Sequence, residues 1–215
     1  MFLSIKKIPK VSWSSSHPFN LKPKISTFIY LCFGLGLFGF GEGLLIVSLS
    51  GASPWTVLAQ GISFYLDFSI GTITFCISVG VLFFWIFLNQ RPGIGTILNA
   101  LIIAFMIDIC VGTISTPVNY FNQILLAFVA VLNVGLGASI YLVANLGPGP
   151  RDGLMIGLQQ KTNLPIAIVR VFLEVTVVSI GFYLGGTVGV GTLLFAFGIG
   201  PSVSFGLYLV NKIFN

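Results

Sequence analysis

GASPWTVLAQG, from Gly51 to Gly61, returns 96 residues later as GPGPRDGLMIG, from Gly147 to Gly157. Gly51, Pro54, Leu58 and Gly61 keep their places as Gly147, Pro150, Leu154 and Gly157. The match extends to both sides without a gap. Gly39, Gly41, Gly93, Gly95 and Thr96 return as Gly135, Gly137, Gly189, Gly191 and Thr192, and from Gly39 to Ile103 about a quarter of the positions are identical. Glycine and proline set backbone shape rather than fill lipid, so what repeats is a path of the chain.

The surroundings of that path are membrane-like. Of 215 residues, 56% are apolar and only 7% charged, with a mean hydropathy of +1.04. Soluble domains carry several times more charge. Six segments are long and apolar enough to cross about 30 Å of hydrocarbon: 25–50, 69–88, 96–115, 122–144, 165–184 and 192–212. Two shorter segments, 53–67 and 149–163, read as helices that follow Gly-rich breaks, each with proline at its first position. The expected fold is therefore all-α, a bundle of six transmembrane helices in two 3+3 repeats. Residues 1–24 form a basic cytoplasmic tail, 25–120 the first membrane repeat and 121–215 the second, within one membrane domain.

Charge gives the orientation. Lys6, Lys7, Lys10, Lys22 and Lys24, then Arg91, Arg151, Lys161 and Lys212, fall in the tail, alternate loops and the C-terminus. The intervening segments 51–68, 116–121 and 185–191 contain no Lys or Arg. The positive-inside rule then puts both termini in the cytoplasm of a cell with a bacterial-type inner membrane. An odd number of crossings per repeat turns the second repeat upside down relative to the first, as in many secondary transporters. The net charge of +5 does not indicate nucleic acid, because the basic residues sit at the edges of spans.

Several motifs resemble the YczE/YyaS/YitT family of membrane proteins, most closely its YczE branch. They are GPRDGLM (Gly149–Met155), Gly51–Ser63, Arg91–Thr96, Arg170 with Glu174, Gly185-Gly186 followed by Gly189–Thr192, and Gly200-Pro201. Thr56 and Ala59 stand where that branch has an acidic residue and a histidine. The resemblance implies a polytopic integral membrane protein and specifies no substrate.

Candidate functional residues follow from the breaks and from charge in apolar surroundings. A break that dips into the membrane aims the free N–H groups of the next helix inward, where they favour anions or carboxylates. Gly51, Ser53, Pro54 and Gln60, with Gly147, Gly149, Pro150, Arg151 and Asp152, are the expected solute-binding set. The polar stripe Thr56, Gln60, Ser63 and Asp67 equally suits a helix lying flat at the interface, so re-entrant and interfacial short helices both stand. Glu42, Asp108, Arg170 and Glu174 are charged groups within spans, where charge is costly; they are the expected ion- or proton-coupling set. Arg170 and Glu174 are one turn apart and can pair. The GIGT and GVGT turns at Gly93–Thr96 and Gly189–Thr192 are either tight helix starts or gates.

Enzymatic readings find little support. His17, the single histidine, is in the tail, and Cys32, Cys76 and Cys110 have no metal-ligand spacing. No catalytic residue, metal or cofactor is expected. Gly34–Gly39 spells GxGxxG inside a span, which is no dinucleotide site, and a Walker A sequence is absent from the chain. The expected function is a small secondary transporter of a small solute, with the bilayer as surroundings and a second copy as a candidate partner through glycine-lined helices. A passive channel, and a membrane subunit of a transport complex, are the alternatives.

Overall fold

The computed structural model describes residues 8–214, and within them the chain is helical, without strands. Lys6 and Lys7 lie outside the described residues. The helices are α1 (Ile25–Val47), α2 (Pro54–Leu66), α3 (Ile70–Phe87), α4 (Ile94–Thr113), α5 (Tyr120–Ala144), α6 (Pro150–Thr162), α7 (Ile166–Tyr183) and α8 (Val190–Phe214). All except α2 and α6 are long and apolar enough to span a bilayer. The starts of α2, α3 and α4 recur in α6, α7 and α8 at the 96-residue spacing. So do the left-handed backbone positions: Leu49 and Asn145, Gly51 and Gly147, Asp67 and Asn163, Asn89 and Gly185.

Two layers can be distinguished by packing. Helices α1, α4, α5 and α8 form one group, in which α1 packs on α5 and α4, and α5 on α8. Small residues permit the close approach: a Cβ on Gly34 would meet the backbone of Tyr141 and Gly137, and one on Gly41 would meet Val134 and Ala130. These pairs show α1 and α5 running antiparallel. Gly34, Gly39, Gly41 and Gly43 of α1 are thus occupied inside the chain. The second group is cross-braced: α2 packs on α7 of the other repeat, and α6 on α3, while α3 also packs on α4 of the first group.

The breaks are held by the GxGT turns, again crosswise. Gly95 N donates to the Leu146 carbonyl (2.7 Å), and Gly191 N to the Ser50 carbonyl (2.8 Å). Thr96 Oγ1 donates to the Pro148 carbonyl (2.7 Å) and caps its own helix by accepting from Gly93 N. Gly51 (φ 121°) and Gly147 (φ 111°) lie in a region that only glycine adopts without strain. They also press so closely on Gly189–Thr192 and Gly93–Thr96 that a Cβ would not fit. The turns therefore clamp the breaks of the opposite repeat.

The described part of the tail is packed rather than free. Trp13 is buried, stacks on Tyr30 (4.5 Å between centroids) and meets Phe214 edge-on (5.6 Å). Ser15 N donates to the Ala144 carbonyl, and Asn145 Nδ2 donates to the Ser15 carbonyl. Gln90 Nε2 bonds Gln160 Oε1 at the same end. Tail, 89–93 turn, end of α6 and end of α8 thus share one end of the bundle.

Candidate functional site

Between the two helix groups lies a cavity of about 300 Å³, at the small end of the range for ligand pockets. Its wall is built from matching positions of the two repeats. Glu42 and Ala138, Ser53 and Gly149, Trp55 and Arg151, Thr74 and Arg170, Ser78 and Glu174, and Asn99 and Phe195 all line it. Both short helices enter it start-first. The first turn of α2 is buried and that of α6 is buried or half-buried, whereas residues 64–66 of α2 and 160–162 of α6 are exposed. A helix lying flat would instead expose one stripe along its whole length.

Glu42 is the most deeply buried charge, 1% exposed. The turn through Leu49 and Gly51 brings Ser53 and Thr56, at the start of α2, back to this carboxylate. Ser53 Oγ and Thr56 Oγ1 each donate to Glu42 Oε2 at 2.7 Å. Oε1 is buried and has no partner. Trp55 Nε1, also on a lining residue, is buried without an acceptor.

Arg151 is the mate of Trp55 and meets it at the centre of the site, its guanidinium carbon 5.4 Å from the indole centroid. That is cation–π range. Glu42, Asp152 and Glu174 act on Arg151 electrostatically. None of them forms an ion pair with it within 4.0 Å, since Arg170–Glu174 is the one such pair among the described residues. Asp152 sits in the first turn of α6, where a carboxylate complements the helix dipole, and accepts a hydrogen bond from the Tyr141 hydroxyl. Arg170 Nε donates to Glu174 Oε1 at 2.8 Å along α7.

Residues 25–207 match the family described as "Family of unknown function (DUF6198)". The chain belongs to that family. A protein of Haemophilus influenzae, described as "Uncharacterized protein", is 40% identical over 209 residues, covering 97% of this chain and 95% of its own. The "Uncharacterized membrane protein YczE" of Bacillus subtilis is 30% identical over 176 residues, 81% of this chain and 82% of that protein. YyaS of the same organism is 26% identical over 172 residues, 77% and 85% of the two chains. No solved structure matches. The protein is thus a YczE/YyaS-like membrane protein.

In this member of the DUF6198 family, the residues singled out from sequence divide by position. Ser53, Pro54, Gly149, Arg151, Asp152, Glu42, Arg170 and Glu174 line the cavity. Gly51, Gly147, Gln60 and Pro150 do not. The two glycines shape the breaks, Gln60 Oε1 accepts from Thr187 N (3.2 Å), and the Pro150 carbonyl accepts from Trp85 Nε1 (3.0 Å). Asp108 is also outside the cavity. Its Oδ2 accepts from Ser69 Oγ (2.6 Å) and its Oδ1 from Gly71 N (2.8 Å), holding the start of α3. Trp55, Tyr141, Phe38, Thr74 and Ser78 are lining residues that sequence reasoning passed over. Their signal was available in part: Trp55, Thr74 and Ser78 are the repeat mates of Arg151, Arg170 and Glu174.

Proposed function

We propose that this protein is a small secondary transporter, a permease and not an enzyme, that binds one small solute in the central cavity and exposes it alternately to the two sides of a bacterial inner membrane. The observation that carries the proposal is the cavity itself, lined at matching repeat positions and entered by the starts of both short helices. In secondary transporters the solute site lies where interrupted helices from two repeats converge. The antiparallel packing of α1 on α5 supports repeats of opposite orientation in the membrane. Basic residues in the tail, in the 89–93 turn, at the end of α6 and near the end of α8 support an orientation with that end of the bundle, and both termini, in the cytoplasm.

Glu42 is the coupling group in this reading. It is a carboxylate on the cavity wall with one oxygen free to take a proton or cation, whereas both oxygens of Asp108 are engaged in capping α3. Arg170 and Glu174 neutralise each other at the cavity edge.

Accessibility labelling tests this without knowing the solute. Cys32, Cys76 and Cys110 are replaced, and a single thiol is introduced by Ser53→Cys or Gly149→Cys. A membrane-impermeant maleimide is then applied to right-side-out and inverted vesicles. Each thiol is expected to react from both sides, at rates that differ between the sides. Reaction of neither thiol, or of both from one side only, would overturn the transporter reading.

A further inference from the structure

The chemistry left unsatisfied on the cavity wall identifies a class of solute. Two buried groups lack hydrogen-bond partners and a cation beside them lacks an ion pair, and they are of opposite kinds. Glu42 Oε1 is a buried anionic acceptor without a donor. Trp55 Nε1 is a buried donor without an acceptor. Arg151 carries a full positive charge against the Trp55 ring, with no ion pair within 4.0 Å. Burying a polar group without a partner is costly, more so for a charge, so a native wall that keeps two such groups beside an unpaired cation is built to have them met by something else.

The other charges are already answered. Asp152 has the Tyr141 hydroxyl and the start of α6. Arg170 and Glu174 have each other. A simple anion would satisfy Arg151 and Trp55 Nε1 but would be repelled by Glu42. A simple cation would satisfy Glu42 but face Arg151. A molecule bearing both charges a short distance apart satisfies all three groups. The wall also carries apolar side chains, Phe38, Ile103, Met155, Phe195, Ile199 and Val203, beside the uncharged polar Thr74, Ser78 and Asn99.

We infer that the cavity binds a small zwitterion of amino-acid type with an apolar side chain, its ammonium group on Glu42 and its carboxylate between Arg151 and Trp55. This inference rests on the cavity being the solute site of the proposed permease, but it concerns binding and not movement. The volume of about 300 Å³ admits a molecule the size of leucine.

The test is equilibrium binding to the purified full chain in detergent, by calorimetry and thermal shift. The probes are the apolar amino acids from glycine to phenylalanine, each compared with the acid that lacks its amine and the amine that lacks its carboxylate. At least one amino acid is expected to bind and to raise the melting temperature by mass action. Both of its single-charge analogues should bind at least about tenfold more weakly, the loss of roughly one charged contact. Glu42→Gln is expected to erase the preference for amino acid over acid, and Arg151→Gln the preference for amino acid over amine. The analogue series uses the unmodified protein, so it decides the matter even if a variant does not fold. Binding of no amino acid, or equal binding of an analogue, overturns the inference. The thiol-labelling experiment is independent of it: two-sided labelling with no zwitterion bound sinks the solute class alone, and zwitterion binding with one-sided labelling sinks the transporter alone.

Discussion

Glu42 lies at a depth where a bare carboxylate is costly, and two hydroxyls from the next helix meet one of its oxygens. Hydrogen bonds to a charge are worth more than neutral ones, about 1.5–3 kcal/mol against roughly 1. Thr56→Val should therefore destabilise the protein by about that larger amount. Glu42→Gln keeps an acceptor but removes the charge. In the Glu42→Gln background the same valine substitution should cost about 1 kcal/mol less, a coupling that a double-mutant cycle resolves. The measurement is unfolding by added SDS in mixed micelles, and an equal penalty in both backgrounds would show that Thr56 packs without serving the carboxylate. At this scale the sequence was legible where charge stood out against apolar surroundings, which identified Glu42, Arg151, Asp152, Arg170 and Glu174. It could not separate Glu42 from Asp108. Both are carboxylates inside spans, and what distinguishes them is a tertiary contact: Asp108 meets the start of a helix 37 residues earlier, at Gly71 N. Trp55, Tyr141 and Phe38 were hidden for a different reason, since an aromatic residue in an apolar run reads the same whether it packs against lipid, core or solute.

The elements were drawn nearly in full by hydropathy and proline, and the differences sit at the breaks. The first span was expected to reach residue 50, but α1 stops at Val47 because Leu49 adopts a left-handed conformation (φ 53°). Leucine seldom does so unaided. The conformation is imposed by the crosswise clamp on Ser50 and Gly51, which no local pattern announces. The GxGT sequence alone suits a helix start or a gate; in the fold these turns start α4 and α8 and also hold the breaks. Two classes of glycine should respond oppositely to alanine. Gly51→Ala and Gly147→Ala add a Cβ at positive φ against backbone or threonine, and should each destabilise by about 1–3 kcal/mol. Gly36→Ala and Gly80→Ala meet nothing within 4 Å inside their helices and should be neutral, or stabilising by up to about 1 kcal/mol. Thermal melts of the four variants in one detergent check the ordering, and equal effects would show that the breaks are not clamped.

At the scale of the molecule, the repeats are not separate bodies. Each short helix is seated on a helix of the other repeat, α2 on α7 and α6 on α3, and α1 with α5 forms the central seam between repeats. Gly181 lies so close to Val57 and Leu58 that backbone meets backbone, and Trp85 reaches across to the Pro150 carbonyl. A repeat isolated from its mate would expose these tightly fitted surfaces, and its break would lose the turn that holds it. Lipid can cover apolar side chains, but it cannot replace the hydrogen bonds from Gly95 and Gly191 to the opposite breaks. The 114–119 connection between repeats is, by contrast, largely exposed, with Pro117 and Val118 at its tip. Cutting the chain there should be tolerated when both pieces are made together. The two fragments, 1–116 and 117–215, are expected to co-purify from the membrane as a one-to-one complex that melts within several degrees of the intact chain. Either fragment made alone should aggregate or be degraded. A fragment that purifies alone as a stable, monodisperse species would mean that the crosswise contacts are incidental. The moving parts of the proposed transporter would then be the repeats themselves. If the fragments need each other, the parts that can move are the two packed groups, α2, α3, α6 and α7 against α1, α4, α5 and α8, with the cavity lying between them.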